Sequence, residues 1–160
     1  MIVVGFDPGL RATGYAVVRA EGATSVLVEA GVIRTRLGGP VEARLGEIYA
    51  DARALMEETR PDVAVLEDAF SHLRFPHAGI RIGHVQGVLF LAAAHAGVRI
   101  FSLPPAEVKR AITGNGRAPK AQVQAAVCAR LGVAGNLPHH AADALALALA
   151  LLGRLEEGRL

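Results

Sequence analysis

The chain opens on an apolar, β-branched run, Ile2-Val3-Val4-Gly5-Phe6, that ends at Asp7 before Pro8-Gly9 turns it. Such a run suits a buried central strand better than a surface helix. Two more strand-length runs follow, Tyr15 to Arg19 and Ser25 to Val32, with Gly22 at the turn between them. Three strands joined by short connections predict an antiparallel meander. Gly38-Gly39-Pro40 breaks the alternation. From there Val41, Leu45, Ile48, Ala52, Leu55 and Met56 recur at helical spacing, opposite a charged face, until Pro61.

Residues 62–66 form another apolar run, which passes directly into Glu67-Asp68. A strand reached through a helix is expected to lie parallel to one already present. The pattern then predicts a helix over 80–96, a fifth strand over 98–101, a short helix from Pro104-Pro105 to Ile112, and a helix from Pro119 to Leu131. A last helix, almost all Ala and Leu, starts after Pro138 and is predicted through Leu152. The sum is an α/β fold: a five-stranded mixed sheet, three antiparallel strands then two parallel ones, flanked by helices. It is predicted as one domain over residues 1–155 with a short tail over 156–160.

Composition narrows the class. The chain has 160 residues, 52% of them apolar, enough for one domain with a sizeable core. No apolar stretch is long enough to span a membrane, and Asp7 interrupts the N-terminal run too early for a signal peptide. Cys128 is the single cysteine, which excludes an internal disulfide and a cysteine zinc site and makes a reducing cytoplasm the default. Its neighbours Val123, Val127 and Leu131 suggest a small buried hydrophobe.

Net charge is only +2, but residues 1–68 carry −4 and residues 69–155 carry +7. A one-sign field over half a small domain favours a polyanionic partner. Lys109, Arg110, Arg117 and Lys120 bracket the turn Gly114-Asn115-Gly116, a junction able to clamp a phosphate backbone; solvated surface charge is the alternative. Phe70, Arg74 and Phe75 sit in an aperiodic segment, where an aromatic beside basic groups suits a stacking wedge for nucleic acid. Packing of the rings against the next helix is the other possibility. Gly79, Gly83 and Gly87 recur four apart and permit close approach of another backbone, within the domain or across a dimer.

Asp7 alone reads equally as a turn-forming Asp or as a ligand-binding carboxylate. Other carboxylates decide between the two. If the fourth strand runs parallel beside the first, Asp7 and Glu67 emerge together at the carboxyl edge, where ligands gather in α/β sheets. Asp68 then points the other way or belongs to the loop. His140 and Asp143 are three apart, so they share a face of the last helix, and an Asp in so apolar a helix calls for a salt bridge or a metal. Oxygen-rich ligation suits Mg²⁺ or Mn²⁺, and two such ions can hold a scissile phosphodiester. His140 could ligate a softer ion such as Mn²⁺ or handle a proton near neutral pH. No G-x-S-x-G, Walker loop or G-x-G-x-x-G is present.

Gly5-Phe6-Asp7-Pro8-Gly9 with Thr13-Gly14, then Glu67, Val108-Lys109, Gly114-Asn115-Gly116, Lys120, and Ala141-Ala142-Asp143-Ala144-Leu145-Ala146 follow in order over nearly the whole chain. On these motifs the sequence resembles the RuvC family of Holliday junction resolvases, which have the RNase H-like fold. The resemblance implies a homodimer that binds four-way junction DNA and makes paired symmetric nicks with two Mg²⁺ or Mn²⁺ ions per active site, in concert with a branch-migration helicase complex. It implies a catalytic, metal-binding quartet of Asp7, Glu67, His140 and Asp143. Phe70 matches an aromatic that inserts near the junction centre, and Lys109 and Lys120 match DNA-contacting positions. Many members have Asp where His140 stands, which tilts the expected preference toward Mn²⁺. Gly83-His84-Val85-Gln86-Gly87 departs from the usual Gly-Gln-Ala-Arg-Gly.

Three other readings are compatible with parts of the pattern. They are an RNase H-like nuclease for RNA or RNA–DNA hybrid, an ATP-binding protein related to actin and sugar kinases, and a noncatalytic junction binder. The second would need more chain than this to enclose a nucleotide between two lobes, and the third leaves Glu67 and Asp143 without a purpose.

Overall fold

The computed structural model describes residues 1–22, 24–68, 76–133 and 137–158. The strands are β1 (Ile2–Asp7), β2 (Ala12–Glu21), β3 (Thr24–Arg34), β4 (Val63–Glu67) and β5 (Arg99–Leu103). The helices are α1 (Val41–Thr59), α2 (Pro76–His95), α3 (Pro105–Thr113), α4 (Lys120–Leu131) and α5 (His139–Glu156). One five-stranded sheet has the order β3-β2-β1-β4-β5. β1 pairs antiparallel with β2 and β2 with β3, while β4 runs parallel to both β1 and β5. This is the mixed topology the pattern predicts, and it is the RNase H-like fold.

Strand alternation divides the core into two layers. Val3 and Val65 pack with α3, α4 and α5 on one face. Val4, Phe6, Ala64 and Leu66 pack with α1 and α2 on the other. By the same period, Asp7 continues the face of Val3, and Glu67 that of Val65. The parallel register sets Phe6 beside Leu66, so the two carboxylates leave neighbouring strand ends on the α5 side.

α5 is apolar almost all round, and Ala144 to Leu152 are all buried between the sheet and α3–α4. Its seat depends on two glycines. A Cβ at Gly5 would overlap the Ala144 carbonyl oxygen, and one at Gly14 would overlap the carbonyl of His140. Gly14 is paired with Asp7 across the ladder, so the place where α5 comes closest to β2 is also where His140 meets Asp7. Gly5→Ala should therefore push the helix off the sheet, at a cost of about 1–3 kcal/mol or more. The expected result is a melting temperature lower by roughly 2–4 °C per kcal/mol, read by circular dichroism. An unchanged melt would mean α5 is not seated on β1.

Three boundaries differ from the periodicity. β2 and β3 are longer than their apolar runs, carried on by ladder pairing through a register shift at Val17/Val18. α2 starts at Pro76 rather than near 80, with Pro suited to a first turn. α5 continues past Leu152 to Glu156, and its extra turn is tied to α3 by Arg154 Nη1 and Glu107 Oε2 at 3.1 Å.

Candidate active site

Asp7, Glu67, His140 and Asp143 line one open cavity of about 370 Å³ at the carboxyl edge of β1 and β4. The turn after Asp7 is pinned from several sides. The Thr13 hydroxyl, itself fully buried, donates to the Gly9 carbonyl at 2.9 Å. The Leu10 carbonyl accepts from the Thr35 hydroxyl at 2.7 Å and from Arg44 Nη2 at 3.1 Å. At the other strand end, buried Gln86 reaches over from α2 and donates Nε2–H to the Glu67 carbonyl at 2.6 Å. Asp68 also lines the cavity rather than pointing away from it. β4 ends at Glu67, and the Asp68 amide bonds the Leu103 carbonyl at 2.9 Å, so strand alternation no longer sets its direction.

His140 Nδ1 lies 2.7 Å from Asp7 Oδ2. With Asp7 ionised, Nδ1–H is the donor and the Nε2 lone pair is left for other work. Asp143 Oδ2 pairs with Lys120 Nζ at 2.5 Å, and its Oδ1 accepts from Gln124 Nε2 at 3.1 Å. Gln124 in turn meets His139 Nδ1 at 3.2 Å through its Oε1.

The carboxylates strain against one another. Burial, followed by the charges of Asp7 and Asp143, pushes Glu67 up to about 7. Burial also raises Asp7 above its ordinary value; the His140 hydrogen bond works against it, and Asp143 adds to the rise. Burial disfavours the Lys120 ammonium, but its hydrogen bond with Asp143 and the charges of Asp143, Asp7 and Glu67 outweigh this and raise its pKa. The pocket thus holds more negative charge than Lys120 and Lys109 relieve.

That surplus is the fit test for a cation, and three carboxylates with an imidazole are a donor set for a hard or borderline divalent ion. Among the described residues no three of these side chains are already drawn around one point as ligands. The reason is visible in their partners, since Asp7 is turned to His140 and Asp143 to Lys120. Ligation therefore requires the Lys120 ammonium to release Asp143.

The basic residues separate. Lys109 and Lys120 both line the catalytic cavity. Arg110 instead lines a larger hollow, about 670 Å³, with Arg130 and Arg154 between α3, α4 and the end of α5. That hollow has no strand-end carboxylate, so size does not mark the chemistry here. Arg117 is exposed on the α3–α4 turn, where its amide donates to Asn115 Oδ1 at 2.9 Å. Phe70, Arg74 and Phe75 lie outside the described residues. Cys128 is half-buried rather than buried. Among the described residues no helix is long and apolar enough to cross a membrane. Gln86, Gln124 and Thr13 support the site without having been singled out in the sequence. Their one common signal is a polar side chain on an otherwise buried face.

The sequence model of the crossover junction endodeoxyribonuclease RuvC family matches residues 3–151. The chain is 43% identical over 151 residues to the crossover junction endodeoxyribonuclease RuvC of Rhodopirellula baltica, covering 94% of this chain and 84% of that one. It is 39% identical to the Moorella thermoacetica enzyme of the same description, over 93% of this chain and 89% of that one. In structure it is similar to Thermus thermophilus RuvC in complex with a Holliday junction substrate, with a TM-score of 0.93 at 33% identity, over 99% of this chain and 97% of that one. A yeast mitochondrial Holliday junction resolvase shares the fold at a TM-score of 0.68 and 12% identity, over 98% of this chain and 81% of that one.

Proposed function

The chain belongs to the RuvC family of crossover junction endodeoxyribonucleases, and we propose that Asp7, Glu67, His140 and Asp143 are the residues with which it holds its metal ions and cuts. It is a metal-dependent endonuclease that resolves four-way DNA junctions. One observation supports the residue assignment above all others. Four side chains spread over 137 positions of sequence line a single cavity at the edge of the sheet.

Two Mg²⁺ or Mn²⁺ ions, when bound, supply an activated water and neutralise charge on the leaving 3′ oxygen. The chain's own part is positional. Asp7 and Glu67 are fixed by β1 and β4, whose backbones are held by the pinned turn and by Gln86. α5 brings Asp143 and His140 over them. The His140 side chain is half exposed at the rim (49%), hydrogen-bonded to Asp7, and can take up or deliver a proton near neutral pH. As the water oxygen bonds to phosphorus the bond to the 3′ oxygen breaks, leaving a 5′ phosphate and a 3′ hydroxyl. Lys109, half-buried in the same cavity, can hold the phosphate of the cut strand. Lys120 exchanges Asp143 for phosphate as the ions enter.

Symmetric nicking requires two such sites, and α2 offers the face for a second copy. Ile80, Phe90 and Leu91 are exposed by 57, 41 and 50% on that helix. Gly83, Gly87 and Ala94 are exposed between and beyond them at spacings of three and four. Large apolar groups interleaved with glycines let two helices approach closely. Leu91→Glu should convert a dimer to a monomer in sedimentation velocity and turn paired cuts into single nicks. A variant that stays dimeric would move the interface elsewhere.

The assignment is tested with metal-dependent cleavage of fixed and mobile four-way junctions beside linear duplex and RNA–DNA hybrid. Cleavage of the junctions with 5′-phosphate ends is expected. Exclusive cleavage of RNA or hybrid would overturn it.

A further inference from the structure

A second groove, about 440 Å³, opens beside the catalytic cavity. The two share His140 and Ile82 in their walls, so they meet at the rim of the active site. Its floor is Leu10, Ala12 and Ile82, all half-buried, and its sides carry Arg11 from the β1–β2 loop and Arg81 from α2. No acidic residue lines it. Arg19, Arg53 and Arg154 are each ion-paired to a glutamate. Among the described residues, Arg11 and Arg81 have no such partner, and both are exposed. The loop that holds Arg11 is not a loose one, because Thr13, Thr35 and Arg44 fix it to its neighbours.

We propose that this groove carries the continuation of the cut DNA strand, on the side of the scissile phosphate opposite Lys109, with Arg11 and Arg81 each taking a backbone phosphate. The inference rests on the nuclease reading above and extends it. A strand laid over three carboxylates needs cations on both sides of the cut. Lys109 and Lys120 supply them only within the catalytic cavity. Two rigidly based guanidiniums flanking an apolar floor suit two phosphates with a sugar and base resting between them. His140 at the junction of the two hollows would then mark the turning point of the strand.

The test is junction binding in EDTA, where nothing is cut, by fluorescence anisotropy over a range of salt. Arg11→Ala/Arg81→Ala is expected to lower the slope of log K against log salt by about 2, about 1 for each lost phosphate contact. Arg11→Lys/Arg81→Lys should restore most of it. Junctions with a single methylphosphonate, moved one phosphate at a time along the cut strand, locate the contact. The native protein should be weakened by methylphosphonates on both sides of the cut, and the double alanine variant by those on one side only. A native slope with an unaltered methylphosphonate profile overturns the groove. So does an altered dimer equilibrium with unaltered DNA binding, which would give the groove to a second protein. A native protein that fails to cut junctions overturns the underlying reading instead. Should the double variant not fold, each single variant must show its own loss of about 1 in slope.

Discussion

Asp7→Asn is expected to lower junction cleavage by at least about 10³-fold, beyond the loss seen when one preorganised electrostatic partner is removed from an active site. The substitution keeps the shape of the side chain and removes a negative charge from a cavity that already holds too many. Asn can still meet His140 Nδ1, now at 2.7 Å from the carboxylate, so α5 has no reason to move. Junction binding without metal should be unchanged or slightly tighter, because one charge repelling the DNA has gone. Single-turnover cleavage of a labelled junction, set beside a gel-shift titration in EDTA, separates the two effects. Glu67 should respond as well: with the Asp7 charge gone, part of what pushes it up to about 7 is removed. Cleavage at the native rate by the purified variant would take Asp7 out of the chemistry. Loss of cleavage and binding together would point to a damaged fold.

Much of this was readable from the pattern of the chain. The β-branched run ending at Asp7, the second run ending at Glu67, and a helix of Ala and Leu interrupted by one Asp each carry a local physical signal. The parallel order of β1 and β4 then places their ends together. Side-chain partners were not readable, because they depend on how helices pack. Lys109 and Arg110 look equivalent in sequence, yet a helix turns about 100° per residue. Lys109 therefore enters the catalytic cavity while Arg110 faces the hollow beside Arg130 and Arg154. Lys120 was expected among phosphate contacts, and its bond to Asp143 arises only because the first turns of α4 and α5 lie side by side. Gln86 sits where the usual motif of the family has arginine. Its bond to the Glu67 carbonyl depends on α2 crossing the end of β4.

Glu67→Gln should stabilise the metal-free protein at alkaline pH while abolishing cleavage. Glu67 has an ordinary pKa of 4.5 and is pushed to about 7 in the folded chain. Between those values the folded state keeps a proton that the unfolded state has released. Stability of the metal-free protein therefore falls as pH rises through this window and levels off above it. The shift is worth up to about 3 kcal/mol, less what solvent at the cavity mouth screens. Gln carries no charge, so this part of the slope disappears. Above neutral pH the variant should melt roughly 5 °C or more above the native chain. Asp7 is raised too and leaves a smaller slope in both proteins. A divalent ion binds the deprotonated carboxylates and only the folded chain gathers them, so Mg²⁺ or Mn²⁺ should return the lost stability to the native protein and much less of it to the variant. Thermal melts in EDTA and in metal, from pH 4.5 to 8, decide the matter. Parallel curves for the two proteins, with no gap opening as pH rises, would mean that Glu67 does not carry the stored repulsion. The cost this residue imposes on folding is then the same quantity that draws the metal in, and a chain relieved of it should be more stable and inactive.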